Sequence, residues 1–148
     1  MTSVTIIGLG WLGEPLALYL LEKGYHVKGS TTTPEKLSLL QSKGIETALL
    51  KFNPHPEGSG FRRLFETDVL FVNIPPRSRT VPEGFYAEQL KFVRELAIQS
   101  KVKKIIFVSS TSVYPEWNQK VDESFRLTME NTGSPGILRA EQILQSEK

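Results

Sequence analysis

The chain has 148 residues with 39% hydrophobic and 23% charged side chains, long enough for one domain with its own core and ordinary for a globular protein. A formal net charge of +2 gives no basis for nucleic-acid or acidic-membrane partners, and the absence of cysteine excludes disulfides, thiolate nucleophiles and thiolate metal sites. No apolar stretch approaches the roughly 20 residues a membrane helix needs. The short apolar run after Met1, with no charged segment before it, reads as a strand rather than a signal peptide. A cytoplasmic location is therefore the expectation.

Val4–Ile7 reads as a short buried strand ending at Gly8. From about Trp11 to Lys23, Leu12, Leu16, Tyr19 and Leu20 recur at helical spacing, and Gly24 occupies the stop position. Tyr25–Gly29 is a second strand. Thr33 and Pro34 open a helix as N-cap and first residue, which runs through Leu37 and Leu40 to Gly44. Ile45–Leu50 is a third strand, residues 53–60 a loop, and Phe61–Glu66 a short helix. Val69–Ile74 reads as a fully buried strand broken by Pro75-Pro76. A long helix over residues 84–100 carries Tyr86, Leu90, Val93 and Ala97 on one face. Lys104–Ser109 is a fifth strand, followed by an irregular polar stretch and a last helix from Pro135. Continuous apolar strands alternating with helices predict an α/β fold: a Rossmann-type parallel sheet of about five strands with helices on both faces, spanning residues 1–148 as one domain.

Gly8-Leu9-Gly10-Trp11-Leu12-Gly13 falls between the first strand and the first helix, the context that gives G-x-G-x-x-G its meaning. Gly8 would allow the tight turn, Gly10 the approach of a pyrophosphate to the backbone, and Gly13 the packing of helix on strand. The anion would then face free N–H groups, including those of Trp11 and Leu12, at the positive end of the helix. The competing reading is a tight turn that binds nothing. One glycine would serve that purpose, however, and three cost backbone entropy.

NAD sites place a carboxylate about 20 residues on, to bond the ribose 2′-hydroxyl. This chain has Gly29-Ser30-Thr31-Thr32-Thr33 there, with Lys36 following. Hydroxyls and a lysine tolerate a 2′-phosphate that a carboxylate would repel, so the expected cofactor is NADP in preference to NAD. The same hydroxyls could also serve to cap the second helix.

The fifth-strand segment Ile106-Phe107-Val108-Ser109-Ser110-Thr111-Ser112-Val113-Tyr114 resembles the corresponding strand of extended short-chain dehydrogenases/reductases, the epimerase/dehydratase group. With the Leu-Gly-Trp-Leu-Gly turn and the Gly-Ser-Thr-Thr second strand, the chain is similar to an atypical, YeeZ-like bacterial branch, and the likeness covers nearly its whole length. The group's usual turn is G-x-x-G-x-x-G, from which this chain departs. The resemblance implies an oxidoreductase or epimerase acting on a sugar-like or small carbonyl substrate. It also implies that Ser110 is the hydroxyl that contacts substrate. Tyr114 then matches a packing position. Ile74 and Pro75, at the end of the fourth strand, match a segment that borders the cofactor.

The group's Tyr-x-x-x-Lys pair, in which the lysine lowers the tyrosine pKa for proton transfer, has no counterpart. Its positions fall on Gly133 and Ile137 when Glu141 is aligned with the glutamate after the lysine. The literal match Tyr19-x-x-x-Lys23 lies on the first helix, far from any nicotinamide position. Members of the group also continue with further strands and a substrate-binding region. A sheet edge left exposed in their absence invites pairing with a second copy, a homodimer. Arg77 and Arg79 read as solvated loop residues, His26 and His55 as structural, and Lys101, Lys103 and Lys104 as a solvated helix end.

Two other readings stand beside the enzyme: a dinucleotide-binding module without catalysis, and the N-terminal domain of a β-hydroxyacid or 6-phosphogluconate type dehydrogenase. The latter also opens with Gly-Leu-Gly-x-x-Gly and a helix like Pro15–Leu20. No metal site is expected, and the substrate is not legible.

Overall fold

The fold, taken from a computed structural model, is described for residues 2–75, 84–109, 128–130, 132 and 134–145. In chain order it comprises β1 (Ser3–Ile7), α1 (Gly13–Glu22), β2 (His26–Thr31), α2 (Pro34–Ser42), β3 (Glu46–Phe52), β4 (Pro56–Ser59), a 3-10 helix (Phe61–Phe65), β5 (Val69–Val72), α3 (Phe85–Gln99), β6 (Lys104–Phe107) and α4 (Pro135–Gln145). The strands form one sheet in the order β4-β3-β2-β1-β5-β6. All neighbours are parallel except β3 and β4. The direction of winding reverses at β1, which pairs with β2 on one side and β5 on the other; open α/β sheets bind ligands beyond the strand ends at such a reversal.

Alternation along the strands supplies two cores. Val4, Ile6, Val27 and Ile45 pack under Ala17 of α1 and Leu40 of α2. Ile7, Leu50, Leu70 and Val72 face the other way, against Leu90 and Val93 of α3 and Ile137 and Leu138 of α4. Each large aliphatic side chain removed from water here contributes about 1.5–3 kcal/mol. The expected stops after α1 and α2 are present: Gly24 and Tyr25 donate back to Leu21 and Leu20, and Gly44 and Ile45 to Gln41 and Leu40.

One feature departs from the sequence expectation, and a second is one that the sequence pattern does not address. The segment read wholly as a loop contains β4, an antiparallel edge strand that brings the sheet to six strands among the described residues. Its residues, Pro-Glu-Gly-Ser, are mostly exposed and show no apolar alternation. Pro56 is tolerated because it starts an edge strand. The second is Lys28, a charged residue buried in the middle of β2. Its Nζ donates to the carbonyls of Arg63 (2.9 Å) and Glu66 at the end of the 3-10 helix, beside Thr5, whose hydroxyl donates to the Leu64 carbonyl. Burial pulls the Lys28 ammonium below the usual lysine range, with nearby Glu46 opposing the effect.

Candidate dinucleotide site

The turn between β1 and α1 differentiates its three glycines by their surroundings. Gly8 has φ +106°, a conformation that L side chains rarely adopt, and a Cβ there would run into the Asn73 carbonyl oxygen. A Cβ on Gly13 would collide with the Gly8 carbonyl oxygen and press on Ile6 of the strand below. At Gly10 a Cβ would meet nothing within 4 Å. The first and third glycines are thus demanded by protein contacts, whereas the second borders open space.

Leu9 points inward, buried over Gly29 of β2, where a Cβ would lie 2.5 Å from its side chain. Trp11 points outward and is 95% exposed. The Leu9 N–H donates to the Ser30 carbonyl (2.8 Å) and the Gly8 N–H to the Ser30 hydroxyl (3.0 Å). Among the described residues, the N–H groups of Gly10, Trp11 and Leu12 donate to no backbone carbonyl. No side chain caps α1 either. Donors left free at a helix start, next to space that no side chain fills, form a cradle for an anion.

The end of β2 and the start of α2 form the second wall. Thr31 is buried, and its hydroxyl accepts from the Thr33 N–H (3.2 Å); Thr32 is exposed. Thr33 occupies the N-cap position of α2 but makes no side-chain capping bond. The third wall is built by β3, β5 and α3. Gln89 donates to the Phe52 carbonyl (2.7 Å), and the Tyr86 hydroxyl to the Ile74 carbonyl (2.7 Å). Burial pushes the Tyr86 phenol well above its usual range, so it stays protonated and serves as a donor.

Together these walls enclose a cleft of about 520 Å³. Gly8, Gly10, Trp11, Leu12, Ser30, Thr31, Thr32, Lys36, Ile74 and Pro75, all expected from the sequence, line it, and Gly13 lies behind the wall. Reading the sequence missed Lys51, Phe52, Asn53, Phe85 and Gln89, which also line it. For Gln89 a signal existed: it is one turn after Tyr86 and one before Val93, a polar residue on an otherwise buried helical face. Among the described residues no carboxylate lines the cleft, whereas Lys36 and Lys51 do. The residues present therefore fit a dinucleotide: free N–H groups and two cations for its phosphates, apolar walls for its rings.

Ser110, Thr111, Ser112, Tyr114, Pro76, Arg77 and Arg79 lie outside the described residues, as does Gly133. Ile137, the other position of the missing pair, is buried in the α3/α4 core. The literal Tyr19/Lys23 match is a surface contact on α1, with the ammonium 5.4 Å from the ring centroid. His26 lies beside Glu46 (3.6 Å) and His55 packs at a tilt against Phe92 (4.4 Å between centroids). Lys103 pairs with Asp68 (3.2 Å). Among the described residues there is no cluster of metal-ligating side chains, and no helix is long and apolar enough to cross a membrane.

Comparison with known proteins agrees with this geometry. The chain is 34% identical over 126 residues to protein YeeZ of Escherichia coli (strain K12), covering 84% of this chain and 46% of that protein. It thus spans about half the length of the curated relatives it matches. A structure from Methylobacillus flagellatus described as a candidate NAD-dependent epimerase/dehydratase superposes with a TM-score of 0.65 at 23% identity, over 98% of this chain and 50% of that one. The yeast methylglyoxal/isovaleraldehyde reductase Gre2, complexed with NADPH, gives a TM-score of 0.61 at 16% identity, over 97% of this chain and 52% of that one. At these identities the two structures show a shared fold. Residues 3–126 match the family described as the NAD binding domain of 6-phosphogluconate dehydrogenase. With a six-stranded Rossmann-type sheet and a glycine turn that leaves its anion cradle open, the chain belongs to that family of NAD-binding domains.

Proposed function

We propose that this domain binds NADP(H) in preference to NAD(H) and forms the cofactor-binding part of an oxidoreductase or epimerase of the extended short-chain dehydrogenase/reductase type. The observation that carries the cofactor reading is the chemistry of the cleft wall: Thr31, Thr32, Thr33, Lys36 and Lys51 line it, with no carboxylate among the described residues to repel a 2′-phosphate. The Gly10, Trp11 and Leu12 amides hold the pyrophosphate, Lys36 and the threonine hydroxyls take the adenosine ribose, and Ile74 and Pro75 border the route toward the nicotinamide. The bound cofactor supplies hydride transfer; the chain's residues bind it, orient it and exclude water along its apolar walls. A sugar-like or small carbonyl compound is the substrate class, and Ser110 the hydroxyl that contacts it. The YeeZ likeness and the epimerase/dehydratase and reductase neighbours support this reading.

A second reading follows from the family match itself: a domain of the 6-phosphogluconate or β-hydroxyacid dehydrogenase type, in which Ser110 has no role. Calorimetric titration with NADPH and NADH, on the wild type and Lys36→Ala, tests the cofactor preference. Tighter NADPH binding that becomes equal to NADH binding in the variant supports the first reading. Equal binding in the wild type removes the basis for NADP. Oxidation of NADPH by small aldehydes that falls in Ser110→Ala with unchanged NADPH affinity supports the reductase class; oxidation indifferent to that substitution favours the second reading.

A further inference from the structure

Ser30 stands at the end of β2, where dinucleotide sites place the residue that reads the ribose, yet its side chain is 2% exposed and engaged elsewhere. Its hydroxyl accepts the Gly8 N–H at 3.0 Å, and its carbonyl accepts the Leu9 N–H at 2.8 Å. One residue of β2 thereby captures two consecutive amides of the glycine turn. On the opposite side, Asn73 follows β5. Its N–H donates to the Ile7 carbonyl (2.9 Å) and its Nδ2 to the Gly8 carbonyl (3.3 Å). The Gly8 residue is therefore held by a side chain at each end, between the two strands that flank β1.

We infer that Ser30 and Asn73 are positioning residues that clamp Gly8 and so aim the following amides of the turn at the cofactor phosphates. This inference rests on the dinucleotide reading above and deepens it. A turn with three glycines has little backbone stiffness of its own, and an anion site gains affinity when its donors are already aligned. Fixing the Gly8 N–H and C=O sorts the donors: Gly8 and Leu9 bond inward, leaving Gly10, Trp11 and Leu12 to face the cleft. Recognition at the ribose then passes from Ser30 to Thr32, Thr33 and Lys36. The hydroxyl that begins the selector segment belongs functionally to the phosphate turn.

The test is Ser30→Ala and Ser30→Thr, each titrated with NADPH, NADH and ADP-ribose at a temperature where circular dichroism shows it folded. The clamp predicts that Ser30→Ala weakens all three ligands by about tenfold, equivalent to about 1.4 kcal/mol, with the NADPH/NADH ratio unchanged. Ser30→Thr, which keeps the oxygen, restores most of that affinity. A changed ratio in Ser30→Ala would mean that Ser30 reads the ribose, and unchanged affinity for all three would mean that no clamp is needed; either overturns the inference. Amide hydrogen exchange on the ligand-free wild type gives a check independent of folding in the variants. The Gly8 and Leu9 amides should exchange slowly and those of Gly10, Trp11 and Leu12 fast, and fast exchange at Gly8 contradicts the clamp. A wild type that binds none of the ligands instead refutes the dinucleotide reading.

Discussion

Alanine at Gly8, Gly10 and Gly13 should separate folding from binding. Gly10 does not have the left-handed φ found at Gly8, and its added Cβ would meet no atom within 4 Å. Alanine in such a backbone restricts the unfolded chain, stabilising by about 0.4–1 kcal/mol where no strain is introduced. The same Cβ, however, points into the space where a phosphate must approach the turn. Losing one hydrogen bond to a charged oxygen costs about 1.5–3 kcal/mol, roughly a 10- to 150-fold rise in Kd. Gly8→Ala behaves in the opposite way. Its φ of +106° costs about 1–2 kcal/mol for a residue with a Cβ, and the collision with the Asn73 carbonyl adds to that. Gly13→Ala forces α1 away from Ile6 and the Gly8 carbonyl. Guanidinium melts paired with NADPH calorimetry decide the matter. Expected are a Gly10→Ala protein at least as stable as wild type with NADPH binding weakened roughly 10- to 150-fold, and Gly8→Ala and Gly13→Ala proteins that are less stable. Wild-type affinity in Gly10→Ala, or destabilisation equal to that of Gly8→Ala, would show that Gly10 does not border the phosphate.

Two further predictions concern the frame. Lys28→Ala leaves the Glu66 carbonyl without its donor and the Arg63 carbonyl with the Glu66 N–H alone, and should cost about 1–3 kcal/mol, read as a lower denaturant midpoint with little change in NADPH affinity. Asp68 accepts from the Ser3 N–H (3.0 Å) and hydroxyl and pairs with Lys103, contacts that hold its carboxyl below the usual range, the Ser3 N–H most of all. Because the folded pKa is the lower one, this contribution is full above the unfolded value of about 3.9 and is lost as pH falls through the folded one. Melting temperature should therefore drop on acidification below about pH 4, and less steeply in Asp68→Asn. An equal slope in the two proteins would assign the drop to other groups.

The parallel elements were legible because their apolar runs and glycine or proline boundaries are local signals: Val4–Ile7 ahead of Gly8, and Thr33-Pro34 opening α2. The turn was legible for the same reason, its glycines standing between a strand and a helix. What escaped depends on contacts between distant segments. β4 is exposed and has no apolar face, so only its pairing with β3 defines it. Lys28 looks like a surface residue until the carbonyls of Arg63 and Glu66, more than 30 residues on, arrive to satisfy it. Lys51, Phe52 and Asn53 line the cleft because the parallel sheet brings the end of β3 beside those of β1 and β2, a juxtaposition that no local pattern encodes.

The proposed site holds the cofactor's pyrophosphate on the free amides at the start of α1. Amide chemical shifts and hydrogen exchange at residues 8–13, measured with and without saturating NADPH, test it most directly. Large shifts and new protection are expected at Gly10, Trp11 and Leu12, with Gly8 and Leu9 already protected before the ligand is added. Binding that leaves those three amides unshifted, or no binding at all, would contradict it.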